Sequence, residues 1–306
     1  TEVSLRETWI LKTLLLKCPT FQVTVPDSEP MMLCGGRSPV CGKPTRIIAD
    51  YERILGGREA PAGAVPWQVL LNIEGVRVGG VVVAERWILT AAHDLKHSRK
   101  SMSSEAVQVR PGVDLHAVPS PILAASVHIH PEYNNSDGLD RDNDIALIRL
   151  QQPLTFNAAI MPICLTSGVC VWYDQILLLV HLHDVNPPLL LADFQSSKRR
   201  HNLPRLTDNM FCVGLPEGGQ SSCLGDNGGP FALSDDGQFW AAGIDSWGVD
   251  CGKQGTYRVY TKVANYLDWI NQTIHDNGET LRYFHLTRMR VWRRYRIELK
   301  RSERAH

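Results

Sequence analysis

The chain has 306 residues, enough for one large or two ordinary domains around a buried core. Apolar residues make up 43% and charged residues 21%, which argues against disorder. The 32 basic and 32 acidic residues cancel, so a wholly basic nucleic-acid binder is disfavoured. The longest apolar runs, such as Ile176 to Val180, fall far short of the roughly 20 residues of a membrane helix.

Residues 1–53 carry prolines at 19, 26, 30, 39 and 44 and read as a linker or the remnant of a module. Within them Trp9 to Leu16 has the apolar character of a signal-peptide core, but it follows Glu2 and Glu7 and lacks a small-residue cleavage site. The chain therefore reads as lacking its true N-terminus. From Val65 onward, short β-branched runs recur between turn residues: Trp67 to Ile73, Gly80 to Val83, Trp87 to Thr90, Val127 to Ile129 and Ile145 to Leu150. Many short strands with few helical periods predict an all-β barrel or sandwich. One helix is expected late, because Val263, Tyr266, Leu267, Ile270 and Ile274 share a helical face. The last stretch, 281–306, holds nine Lys or Arg against two acids. With Tyr283, Trp292 and Tyr295 it has the chemistry to contact acidic surfaces, although a solvated appendage is the plainer expectation.

The eight cysteines, at 18, 34, 41, 164, 170, 212, 223 and 251, contain no C-x-x-C pair and do not have zinc-module spacing. Such wide, even-numbered spacing fits structural disulfides in a secreted, extracellular protein. Sequons at Asn134 and Asn271 agree with that compartment. No metal or cofactor is expected.

Three segments carry chemistry. Leu89-Thr90-Ala91-Ala92-His93 puts a histidine at the end of an apolar strand, and Asp142-Asn143-Asp144-Ile145 puts an acid at the opening of another. Gly225-Asp226-Asn227-Gly228-Gly229-Pro230 is a glycine-rich turn preceded by Cys223. A base, an acid that orients it and a turn whose N–H groups can hold an oxyanion are the parts of a nucleophilic triad.

On these segments the sequence resembles the trypsin-like serine proteases. Further landmarks are Arg53-Ile54-Leu55-Gly56-Gly57, Pro66-Trp67, Pro162-Ile163-Cys164, Asn209-Met210-Phe211-Cys212, Ser246-Trp247-Gly248 and Tyr260-Thr261-Lys262-Val263. The resemblance runs from about Cys41 to Asp276. It implies two antiparallel six-stranded barrels and a C-terminal helix. It also implies cleavage after Arg53, which frees the Ile54 amine to pair with Asp226. His93 and Asp144 would be base and orienting acid, with Gly225 and residue 227 forming the oxyanion hole. Implied disulfides are Cys41–Cys164 and Cys223–Cys251. Asp94 follows His93 where most members have a cysteine. That departure, with Pro39-Val40-Cys41-Gly42-Lys43-Pro44, resembles the complement first-component proteases r and s and their lectin-pathway relatives. This subgroup implies complement-type complexes as partners.

The sequence also departs from an enzyme. Asn227 stands where the family has its serine, and a carboxamide has no hydroxyl to form an acyl-enzyme. The implied specificity pocket holds Ser221 at its floor, with Asp245, Ser246, Gly248 and Arg258 around it. Asp245 and Arg258 are expected to pair and plug it, since burying either charge alone is costly. The stretch between Cys164 and Cys212 is shorter than the family's, so the second barrel is expected to be incomplete, through divergence or faulty exon assembly. The chain thus divides into a linker (1–53), a trypsin-like domain (54–276) and a basic tail (277–306). Its expected role is that of an inactive, zymogen-derived protease homologue acting by binding or competition; the alternative is an active serine endopeptidase of the complement cascade.

Overall fold

A computed structural model describes residues 41–46, 63–97, 100–101, 103–112, 120–135, 140–166, 204–213, 226–235, 237–248, 253, 258–281 and 284–285. Strands β1 (Gln68–Ile73), β2 (Val76–Ala84) and β3 (Trp87–Thr90) form a meander, with the turn between β1 and β2 made by Glu74 and Gly75 at positive φ. The short strands β4 (Lys96–His97) and β5 (Lys100–Ser101) pair with each other beside it. Strands β6 (Val107–Pro111), β7 (Ile122–Ile129) and β8 (Ala146–Leu150) then close a six-stranded antiparallel barrel in the order β1-β2-β3-β8-β7-β6. Alternation explains its filling. In β1 every second residue is buried, so Val69, Leu71 and Ile73 point inward to meet Val82, Ile88 and Ile148.

The strand β9 (Leu165–Thr166) leads toward the second unit. There β10 (Met210–Val213), β11 (Pro230–Asp235), β12 (Gln238–Gly248) and β13 (Arg258–Lys262) form a four-stranded antiparallel sheet, order β10-β13-β12-β11. A single helical turn, Val263–Tyr266, leads into helix α1 (Leu267–Asp276), and β14 (Phe284–His285) pairs with β9. The five residues expected to share a helical face, Val263, Tyr266, Leu267, Ile270 and Ile274, are all buried. The fold is therefore mostly β, with a closed barrel, a second sheet and one short C-terminal helix. The expected strand runs fall in β1, β2, β3, β7 and β8.

One apolar core joins the two units. Trp67, Trp87 and Ile145 from the first pack with Phe239, Ile244 and Ile270 from the second. Cys41 and Cys164 are disulfide-bonded across a separation of 123 residues, and Gln238 donates to the Cys41 carbonyl at 3.1 Å. Closing a loop of that length removes unfolded-state entropy worth about 4–5 kcal/mol. Among the described residues no helix is long and apolar enough to cross a membrane.

Candidate active site

His93 follows β3 in a short turn, and Asp144 lies just before β8, so the β3–β8 pairing brings both to one end of the barrel. The Asp144 carboxylate is fully buried. Its Oδ1 accepts the His93 backbone N–H at 2.8 Å, and its Oδ2 lies 2.7 Å from His93 Nδ1. The Ser246 hydroxyl of β12 also donates to Oδ2, and the Thr261 hydroxyl of β13 donates to the Asp144 carbonyl at 2.9 Å. Barrel and sheet thus share this one residue. Burial works against the Asp144 charge, yet His93, the Ser246 hydroxyl and Arg141 together hold its pKa below the ordinary value. For His93, burial pulls the pKa down, but Asp144 and then Asp94 outweigh it and the net shift is upward.

The neighbouring segment also ties the two units together. Asp142 accepts from Thr207 at 2.6 Å and from Asn209 at 3.1 Å, both just ahead of β10. Asn143 adopts a positive φ of 57° and accepts from the Tyr266 hydroxyl at 3.0 Å. These contacts fix the approach to Asp144.

The glycine-rich turn docks between the units. The Gly79 N–H of β2 donates to the Asn227 carbonyl at 2.7 Å, and Gly228 N–H donates to the Asp245 carbonyl at 2.8 Å. Asp245 N–H returns a bond to the Gly229 carbonyl at 2.9 Å. Gly228 has φ of +74°, and a Cβ there would lie 2.2 Å from Thr90 Oγ1 and 2.5 Å from the Gly79 carbonyl. Only glycine allows this approach, which sets the turn against Thr90 and Ala91, two or three residues before His93.

Asp245 and Arg258 pair. Arg258 Nε and Nη2 reach Asp245 Oδ1 at 3.1 and 2.5 Å, and both side chains are buried. The register explains the meeting: Asp245 faces Tyr260 across the β12–β13 ladder, so Arg258, two residues along, is its diagonal neighbour. A bulge between Asp245 and Trp247 lets Ser246 turn to Asp144 instead. Arg258 Nη2 also donates to Asn227 Oδ1 at 2.6 Å. The sequence reading did not foresee this contact, nor the turning of Ser246 toward Asp144, because neither follows from spacing along the chain.

Other candidates are placed only in part. Gly248 lies opposite Arg258 at the end of β12. Asp226 is half-buried beside Asn227. The sequon residues Asn134 and Asn271 are exposed. Arg53, Ile54, Ser221, Cys223, Gly225 and Cys251 lie outside the described residues, as does Cys170. No group of three or more metal-ligating side chains occurs among the described residues.

The family pattern described as Trypsin matches residues 54–270. The chain belongs to the trypsin family. Its relatives include the Complement C1r-B subcomponent of Mus musculus, 35% identical over 279 residues, covering 82% of this chain. The Complement C1s subcomponent of Sus scrofa is 34% identical over 274 residues, covering 78% of this chain. The Complement C1r subcomponent-like protein of Homo sapiens is 32% identical over 268 residues, covering 80%. The chain spans 38% of the mouse and pig relatives and 53% of the human one. It is thus a trypsin-like serine protease domain related to complement C1r and C1s.

Proposed function

We propose that the chain is an extracellular complement-type protease homologue that has lost proteolysis and acts by binding in place of an active protease. The observation that supports this reading is the environment of Asn227. Its carboxamide replaces an attacking hydroxyl and accepts a hydrogen bond from Arg258, whose charge is taken up by Asp245. A carboxamide cannot be deprotonated by His93 to open an acyl bond. The guanidinium occupies space that a substrate side chain would need.

In this reading residues 1–53 are a linker or module remnant, 54–276 the protease-like domain and 277–306 a basic tail suited to acidic surfaces. Arg53 is the activation point, and Ile54 would pair with Asp226. Gly225 and Asn227 supply the remains of an oxyanion hole, while Ser221, Asp245, Ser246, Gly248 and Arg258 line the closed pocket. Cys223 would bridge to Cys251, and Asn134 and Asn271 would carry glycans. Complement-type complexes are the proposed partners. The second reading, an active endopeptidase, draws on the intact His93–Asp144 pair.

The test is fluorophosphonate labelling of the full chain, secreted from a eukaryotic host and cleaved after Arg53. No labelling of a monomeric, cooperatively melting sample supports the reading. Stoichiometric labelling of the parent overturns it.

A further inference from the structure

The residue after His93 offers a contact that the loss of a nucleophile does not explain. Asp94 Oδ1 lies 3.4 Å from His93 Nε2, the ring nitrogen opposite the one engaged by Asp144. The imidazole therefore stands between two carboxylates, Asp144 at Nδ1 and Asp94 at Nε2. Both flanking side chains are largely withdrawn from water, Asp94 at 13% exposure and Asp144 at 0%.

The two protonation states differ sharply in this setting. A neutral ring that donates Nδ1–H to Asp144 would present its Nε2 lone pair to the negative Asp94 oxygen. A doubly protonated ring presents an N–H to each carboxylate. A general base needs the opposite arrangement, with Nε2 unprotonated and facing the hydroxyl whose proton it takes.

We propose that Asp94 is a positioning residue that turns Nε2 of His93 toward itself and keeps it protonated, a lock on acyl transfer independent of Asn227. This rests on the inactive-site reading and deepens it: base and nucleophile are disabled by different residues. The charged groups around the ring agree with the assignment. Asp144 and Asp94 both favour the charged imidazole, and Arg141, 4.0 Å from Asp144 Oδ2, opposes it without reversing the balance. The nearby Tyr133 phenol is kept neutral by burial and by Asp144.

The experiment uses the full chain and diethyl pyrocarbonate, which acylates only an unprotonated imidazole nitrogen. The modification rate of His93 is read by peptide mass spectrometry across pH, with exposed His275 as the internal control. The parent is expected to show a His93 midpoint above that of the same histidine in the urea-unfolded chain. Asp94→Asn should lower that midpoint and speed His93 modification several-fold at a pH below it, in proportion to the neutral fraction gained. Asp94→Glu, which keeps the charge, should stay closer to the parent than to Asp94→Asn. A parent midpoint at or below that of the unfolded chain, an unchanged profile in Asp94→Asn, or a Glu variant that behaves like Asn overturns the proposal. If the Asn variant does not fold, Asp94→Ser, which also removes the charge, is read in its place against Asp94→Glu. Labelling of the parent by fluorophosphonate would instead overturn the inactive-site reading, so the two failures are distinct.

Discussion

Asp144 sits at the seam between the barrel and the second sheet, accepting from His93 twice and from Ser246, while its carbonyl takes a bond from Thr261. Asn227 stands on a glycine turn whose backbone is tied to Gly79, and its side chain meets the Arg258 guanidinium. The first residue holds two units together; the second meets one side chain, Arg258. A buried carboxylate with this many donors cannot be lost without orphaning them, whatever the protein does. The side chain at 227 carries no comparable duty, because the turn is held by backbone bonds. A well-formed His–Asp pair is therefore weak evidence of proteolysis, and the side chain at 227 is the more informative position.

The largest expected effects break the first half of this comparison. Asp144→Ala should destabilise the fold by about 3–5 kcal/mol, since it strips a buried ion pair of one partner. Calorimetric melting checks this, and a loss below about 1 kcal/mol would remove the structural duty assigned to Asp144. Asn227→Ala should cost far less, within about 1–2 kcal/mol, because the turn backbone stays bonded.

The second half is sharpened by a cycle. Asp245→Ala leaves Arg258 buried without its counter-ion and should cost about 3–5 kcal/mol. Asp245→Leu combined with Arg258→Met should recover most of that loss, as replacing a buried pair together is often near neutral. Denaturant titration of Asp245→Leu, Arg258→Met and the double variant reads the coupling, and additive losses would mean the pair is not coupled.

Reconstruction of activity separates the locks. Asn227→Ser alone should label with fluorophosphonate about a hundredfold more slowly than Asn227→Ser with Asp94→Asn, the scale of a general base. Equal rates would show that the nucleophile alone silences the site.

The smallest effect is in pH. The raised His93 pKa makes its contribution complete below 6.5 and lost as pH climbs through the folded value. The depressed Asp144 pKa makes its contribution complete above 3.8 and lost as pH falls through the folded value. Their shared stabilisation is thus fullest between those limits and declines on either side. The difference in melting temperature between the parent and Asp144→Asn, followed across pH, should peak in that window.

Much of this molecule was legible from the chain alone. The run Trp67 to Ile73 between turn residues marked β1, and the run Trp87 to Thr90 is β3 itself, buried along its whole length. The helical face from Val263 to Ile274 was equally clear, since burial of one side imposes its period. His93 and Asp144 stood out as a base and an acid at strand ends, and the resemblance to the trypsin-like proteases is what marked Asn227 as the nucleophile position. The pairing of Asp245 with Arg258 was foreseeable because the family resemblance placed both charges around one pocket, where burying either alone is costly.

What the chain could not specify were contacts that depend on the facing of ladders and the meeting of units. The bulge in β12 sends Ser246 to Asp144 and leaves Asp245 for Arg258, and a bulge is a property of two strands together. The Arg258 bond to Asn227 requires a turn from one place and a strand end from another to arrive within hydrogen-bond reach. The contact of Asp94 with His93 Nε2 depends on how the imidazole is held between it and Asp144, which lies 51 residues away in sequence at the other ring nitrogen. Local sequence determines which residues are buried and where elements begin, because periodicity is local. Which side chain answers which charge was decided only by tertiary structure, because electrostatic partners are chosen by distance in space.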